Sequence, residues 1–328
     1  MLNNNIIDCI IHDKWLHIRR IIMDKINHFQ KELDKLGARG RFISITHLKK
    51  LEREANEVKE NRFYGKKVYE KFLDNYYDFS SLYKNTEIKS LCIVATPSQQ
   101  NIIKFEYEDS YINVEVPPTY VDRKKVLNDI KSITSHLFSK FGYKTFPIIL
   151  PKKSMAVHSG LAKYGKNNLV YVEGMGSYHR LTAFASDIPC DIGEWYDLSQ
   201  LETCNSCGAC EKNCPTKAIN NENFLIDTDK CITFYNEQPE PFPDWIDLSW
   251  HNSLIGCLKC QKICPHNKIY KQPNEIVTIF NKEETKLIGK QIPFRQLPKD
   301  LQEKLIILCL DIYYDKLSRN LNVLYKNK

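Results

Sequence analysis

Cys204, Cys207, Cys210 and Cys214 fall within eleven residues, and Pro215 follows the last of them. Cys257, Cys260 and Cys264 repeat the close spacing, again with a proline next (Pro265), and Cys231 stands alone between the two groups. Thiolates are soft ligands that suit soft metals and iron–sulfur chemistry. A reducing compartment disfavours structural disulfides, so crowded thiols there point to metal or redox work. The other cysteines, Cys9, Cys92, Cys190 and Cys309, are scattered and read as small apolar residues.

Two residues between cysteines let one tight loop aim successive thiolates at different irons of a cubane. Three corners can be served this way; the fourth faces away and needs a ligand from elsewhere. The spacing is that of two-cluster ferredoxins, in which the final Cys-Pro of each half binds the other half's cluster. The one change is that the leading cysteine of the second half has moved upstream to Cys231. The expectation is a 4Fe-4S cluster on Cys204, Cys207, Cys210 and Cys264, and a second on Cys214, Cys231, Cys257 and Cys260. CxxC pairs also build four-thiolate zinc sites. Such a site has no use for a third cysteine at the same spacing and a Cys-Pro ending, repeated.

The elements that must carry these loops are of both kinds. Residues 1–88 read as helical: Ile18, Ile22, Ile26, Phe29, Leu33 and Leu36 recur at helical steps, with Gly37 and Gly40 as stop signals. A second helix follows Thr46. From Ser90 the texture changes. "SLCIVATP" is a buried-strand signature, "NIIKFEYE" and "YINVEV" alternate as a hairpin around Asp109, and "FPIIL" is a further strand. A helix from Asp122 shows Val126, Ile130, Ile133, Leu137 and Phe141 on one face and ends at Gly142. The last 50 or so residues are amphipathic and helical, a cap on the core. The reading is an α+β protein in which a mixed α/β cofactor domain (89–200) is fused to a two-cluster ferredoxin-like module (201–270). Helical segments at 1–88 and 271–328 flank them.

With 328 residues, 42% of them hydrophobic, the chain far exceeds a bare ferredoxin. It forms either an active site with another cofactor or a docking platform. No apolar run reaches a membrane span, and the first residues lack the pattern of a secretory signal. A cytoplasmic protein with no membrane partner is expected. The formal charge is +7; two oxidised clusters on eight thiolates would bring it to about +3. The basic excess therefore gives little support to nucleic-acid binding.

Read with the segment from Ser159 to Cys190, the cysteine block resembles epoxyqueuosine reductases and the related corrinoid reductive dehalogenases. Gly160, Leu161, Gly165, Lys166 and Asn167 match a "GLGWxGKN" pattern; Gly176, Ser177, Asp187 and Pro189 match the segment after it. "CITF" at Cys231 and "CLKCQKICPHNK" at Cys257 match the cluster region. The resemblance implies a cobalamin in the 89–200 unit, with Gly160, Leu161, Tyr164, Gly165, Lys166 and Asn167 as its contacting loop. It implies electrons relayed through two 4Fe-4S clusters to that site from a donor such as a flavodoxin, a ferredoxin or a reductase. It also makes a queuosine precursor in tRNA a possible substrate. The alternative is an electron-transfer protein that serves a partner enzyme and binds no corrinoid or substrate.

There are departures from the family pattern. Phe146 stands at or near the place of the family's acidic proton donor, and His158 replaces an arginine or lysine. Ala162, Lys163 and Tyr164 also differ. The catalytic group is therefore open, with His158 and Tyr164 as candidates and Lys166 and His179 beside them by type.

Overall fold

The structure, a computed structural model, describes residues 20–61, 64–73, 76–107, 109–121, 123–190, 194–220, 225–268 and 275–327. Cys9, Ile18 and Asp122, named above, lie outside them.

Four strands build the main sheet: β1 (Arg39–Ser44), β2 (Ser90–Pro97), β8 (His179–Ser186) and β5 (Thr145–Pro147), in the order β1-β2-β8-β5 and all antiparallel. β2 is central and covered on both faces, which is why its sequence is a continuous apolar run rather than an alternation. Leu91, Ile93 and Ala95 pack on one side with Met155, Leu161 and Tyr164. Cys92 and Val94 face the other side, with Phe29, Leu33, Ile130, Leu137 and Phe138. That second layer is made by the helix over 20–34 and the helix Arg123–Lys140.

The first helix stops at Gly37, whose φ of 64° is the left-handed value that glycine adopts without strain. Gly40, read from sequence as a second stop, instead lies within β1. A Cβ there would come 2.8 Å from Leu33 Cδ1. The missing side chain lets the strand press onto the helix.

A second sheet has the order β4-β3-β9, from β3 (Asn101–Tyr107), β4 (Ser110–Val116) and β9 (Glu275–Phe280). The hairpin expected around Asp109 is present, with Tyr107 opposite Ser110. β9 pairs in parallel with β3, and Phe105 stacks on Phe280 with ring centroids 4.9 Å apart. Helices Lys282–Gly289, Lys299–Ile307 and Tyr314–Lys326 cover this sheet through Ile288, Leu301, Leu305, Leu317 and Leu321. This is the C-terminal cap.

The α+β architecture with mainly helical ends is thus present, but each end contributes a strand. β1 and β9 lie in segments whose sequence reads as helical; each pairs with a strand of the 89–200 unit, because a lone strand cannot satisfy its backbone groups. "FPIIL" yields only the short strand β5, after which Ile149 turns out to solvent at 50% exposure. A small two-stranded sheet, β6 (Ala162–Tyr164) and β7 (Val170–Val172), carries the "GLAKYGKN" segment to the cysteine module. No helix among the described residues is long and apolar enough to cross a membrane.

Candidate metal centre

Cys204, Cys207, Cys210 and Cys260 sit on short helices, Cys214, Cys231 and Cys264 stand at helix ends, and Cys257 lies in the segment before its helix. Cys204–Cys207 and Ala209–Asn213 are separated by Gly208, whose φ of 58° turns the chain back in a left-handed step. Lys259–Ile263 carries Cys260, and Cys231 caps Ile232–Asn236. Cys214 and Cys264 have extended backbones at the ends of their helices. A residue before proline prefers that conformation, so Pro215 and Pro265 turn both thiols off their own helix lines.

The thiols influence one another in two groups. Burial pushes the Cys204 thiol up; a hydrogen bond from the Lys166 backbone opposes this, and Cys264 and Cys207 add to it. Burial takes Cys210 to about 11, with Cys204 and Cys264 among the further causes. Burial takes Cys231 to about 12, assisted by Cys257 and Cys214. Cys257 is raised by burial and by Cys214, and Cys260 is raised well up by burial, then Cys257 and Cys231. Cys260 also feels Cys210, so the two groups are neighbours. All eight are free thiols. Among the described residues no three His, Cys, Asp or Glu side chains converge as they would on one ion. A cubane asks for something else, since each thiolate meets a different iron.

Cys204, Cys207, Cys210 and Cys264 line one open cleft, with Lys166 and His266 on its wall. Cys207 is exposed, whereas the other seven thiol residues are half-buried. A soft donor set from two loops beside a cleft fits a cluster. Coordination would reverse the upward shifts, because an iron-bound thiol is deprotonated outright.

The predicted cofactor loop is engaged by the protein itself. A Cβ on Gly160 would lie 2.7 Å from the Tyr196 ring, and one on Gly165 would lie 2.4 Å from the Tyr171 ring. Leu161 and Tyr164 are buried in the core. Lys166 pairs with Glu211 at 3.4 Å. Asn167 Nδ2 donates to the Tyr171 hydroxyl at 3.0 Å and to the Cys260 carbonyl at 3.4 Å. Gly160 and Gly165 are thus packed against aromatic rings, and Gly165, Lys166 and Asn167 stand on the wall of the cysteine cleft.

The predicted proton donors do not meet at one place. His158 is buried; its ring nitrogens contact the Tyr196 carbonyl at 2.6 Å and Glu54 Oε2 at 2.5 Å, and its ring stacks on Trp195. It ties the helix Leu48–Glu60 to the segment around Tyr196. Burial raises the Tyr164 hydroxyl, with the nearby Tyr64 adding to it and a hydrogen bond to Ser154 opposing. Burial lowers His179 to about 4, and its Nδ1 meets the Gly176 carbonyl at 3.1 Å. Phe146 lies in β5, packed against the core.

Several residues escaped the sequence reading. Tyr171 lines the cleft; burial raises its hydroxyl, and the nearby Cys264 adds to this. Lys153 donates to the Asn168 carbonyl at 2.9 Å; burial lowers it to about 8, and Cys231 and Cys260 pull it back up. Asn252 bonds Cys257. Tyr120 donates to Glu237, a carboxyl that burial raises. A lysine pair at a helix start, or an asparagine after a histidine, carries no sequence signal. Only the aromatic at Tyr171, next to a matched motif, could have been picked out.

Residues 203–267 match the 4Fe-4S double cluster binding domain family. The epoxyqueuosine reductase of Aliivibrio fischeri is 30% identical over 116 residues, 34% of this chain and 30% of that protein. The tetrachloroethene reductive dehalogenase of Desulfitobacterium hafniense is 24% identical over 135 residues, 38% of this chain and 24% of that one. These matches span about a third or less of the relatives' own length. The structure of epoxyqueuosine reductase from Streptococcus thermophilus superposes with a TM-score of 0.67 at 17% identity, covering 92% of this chain and 80% of that one. The chain thus shares the fold of that epoxyqueuosine reductase, and its cysteine module matches a double 4Fe-4S cluster domain.

Proposed function

We propose that this chain is an iron–sulfur reductase that passes electrons through two 4Fe-4S clusters, the first held by Cys204, Cys207, Cys210 and Cys264 and the second by Cys214, Cys231, Cys257 and Cys260. When bound, such clusters supply one-electron transfer. The single observation behind the assignment is the crosswise placing of the thiols: Cys264 of the second half lines one cleft with Cys204, Cys207 and Cys210 of the first.

The chain's own residues divide the work. Cys207, exposed at the cleft, gives the first cluster a surface for an electron donor. The Lys166 backbone hydrogen-bonds a thiol of that cluster, and Asn252 does so for the second. Asn167 spans from Tyr171 to the Cys260 backbone and so fixes one loop against the other.

The relatives are named for epoxyqueuosine, and that compound in tRNA is the first candidate substrate. A second reading, an electron carrier that serves a partner enzyme, is favoured by one observation: the loop expected to cradle cobalamin is closed by Tyr196 and Tyr171. One experiment separates the two. Anaerobically reconstituted protein is reduced and mixed with cobalamin, with and without epoxyqueuosine-modified tRNA, and cluster reoxidation is followed by absorbance. Stoichiometric cobalamin uptake and substrate-dependent reoxidation support the reductase. Retention of the electrons until a protein acceptor is added supports the carrier.

A further inference from the structure

Asn252 stands five residues before Cys257 and holds the second cysteine loop with both ends of its amide. Its Nδ2 donates to Cys257 Sγ at 3.3 Å, and its Oδ1 accepts from the Leu258 backbone at 2.9 Å. Thr216 Oγ1 lies 3.5 Å from Cys214 Sγ. Two of the four thiols assigned to the second cluster, Cys257 and Cys214, therefore face a side-chain donor. In the first group, Cys204 and Cys210 receive backbone hydrogen bonds from Lys166 and Glu211, Cys264 shares the cleft with Tyr171, and Cys207 is exposed.

A cluster gains one unit of negative charge on reduction. Donor dipoles aimed at its sulfurs stabilise the reduced form more than the oxidised form and so raise the potential. We propose that Asn252 and Thr216 are positioning and potential-setting residues for the site formed by Cys214, Cys231, Cys257 and Cys260, and that they raise its potential above what thiolate ligation alone would give. This rests on the two-cluster reading above. Their role is exerted through sulfur, and neither residue is an iron ligand.

The test compares the wild-type protein with Asn252→Asp and Thr216→Val. Aspartate keeps the acceptor for Leu258 and nearly the same size, but turns a carboxylate oxygen toward the sulfur. Valine keeps the shape of threonine without its hydroxyl. Each protein is purified without oxygen, assayed for iron and sulfide, and titrated potentiometrically with EPR detection. The expected result is a negative shift of one midpoint in each variant, the same one in both, with the other midpoint unmoved. Fully loaded variants with unmoved midpoints, or with both midpoints shifted alike, overturn the proposal. If Asn252→Asp arrives short of iron, Thr216→Val decides alone, because it leaves the 252–258 loop untouched. A wild-type protein without two clusters would overturn the parent reading and this one with it; two clusters with insensitive midpoints would overturn this one alone.

Discussion

Ser177 and Asn267 exchange hydrogen bonds: the Ser177 backbone donates to Asn267 Oδ1 at 2.8 Å, and Asn267 Nδ2 donates to Ser177 Oγ at 2.8 Å. Both residues are buried, and Gln261 Nε2 adds a bond to the Ser177 carbonyl at 3.0 Å. This network joins the segment between β7 and β8 to the helices that carry Cys260 and Cys264. Replacing Asn267 with alanine leaves the buried Ser177 N–H and the Gln261 carbonyl without this partner, at about 1–3 kcal/mol for such a loss. Chemical denaturation of Asn267→Ala should show a stability lower by that amount, and an unchanged midpoint would contradict the weld.

Gly165 is a packing position. A Cβ there would meet the Tyr171 ring at 2.4 Å, closer than real contacts allow. Gly165→Ala should displace Tyr171 from Asn167 and Cys264 and cost about 1–3 kcal/mol, the usual range for overpacking. The expected phenotype is selective: the iron signal of the first cluster weakens while that of the second persists. Iron analysis with EPR checks it, and equal loss from both would place the damage elsewhere.

His179 supplies a pH dependence. Burial holds its folded pKa near 4, below the ordinary value of 6.5. The unfolded chain therefore binds a proton between pH 6.5 and 4 that the folded chain does not, and stability falls as pH drops through that window. The full span is worth up to about 3 kcal/mol. Denaturation midpoints at pH 7.5 and 5.5 should differ in the wild type and differ less in His179→Asn. Identical slopes would show that another group carries the effect.

The stretches around the cysteines, 203–217 and 257–268, carry Lys212, Lys217, Lys259, Lys262 and Lys268 against the single acid Glu211. Lys212, Lys217 and Lys268 are exposed, the first on Ala209–Asn213 and the last on Pro265–Lys268. An acidic protein donor should be steered to this surface, and steering is screened within a Debye length of about 8–10 Å. Reduction by such a donor should slow several-fold between low and high salt, and again in a Lys212→Glu, Lys268→Glu double variant. Reduction by a small viologen should be less sensitive to both changes. Equal sensitivity would remove the docking argument.

Much of this architecture is written in local pattern. The continuous apolar run of β2, the alternation of β3 and β4 and the 3.6-residue period of the helix ending at Lys140 each state their own environment. The eight cysteines state their chemistry by spacing. β1 and β9 are hidden because a six-residue strand beside a long helical pattern has too few positions to show a period. For β9 a clue is available: Asn281 and Glu284 form a capping box, which marks a helix start and leaves "EIVTIF" before it as strand. The cofactor loop shows the limit from the other side. Its glycines and polar residues promise a ligand, yet Tyr171 and Tyr196 fill the space, and only tertiary contact reveals which partner a glycine admits. The same holds for Lys153 and Asn252, whose roles come from what they meet across the fold.

The central claim is that eight thiols from two halves of one module hold two clusters crosswise. Iron and acid-labile sulfide assayed on anaerobically purified wild-type protein and on Cys264→Ser test it most directly, with EPR of the reduced forms. The account predicts about eight irons per chain in the wild type. In Cys264→Ser it predicts selective loss of the cluster shared with Cys204, Cys207 and Cys210, while the cluster on Cys257 and Cys260 survives. Zinc in place of iron, about four irons in the wild type, or loss from the Cys257 and Cys260 cluster in the variant would contradict it.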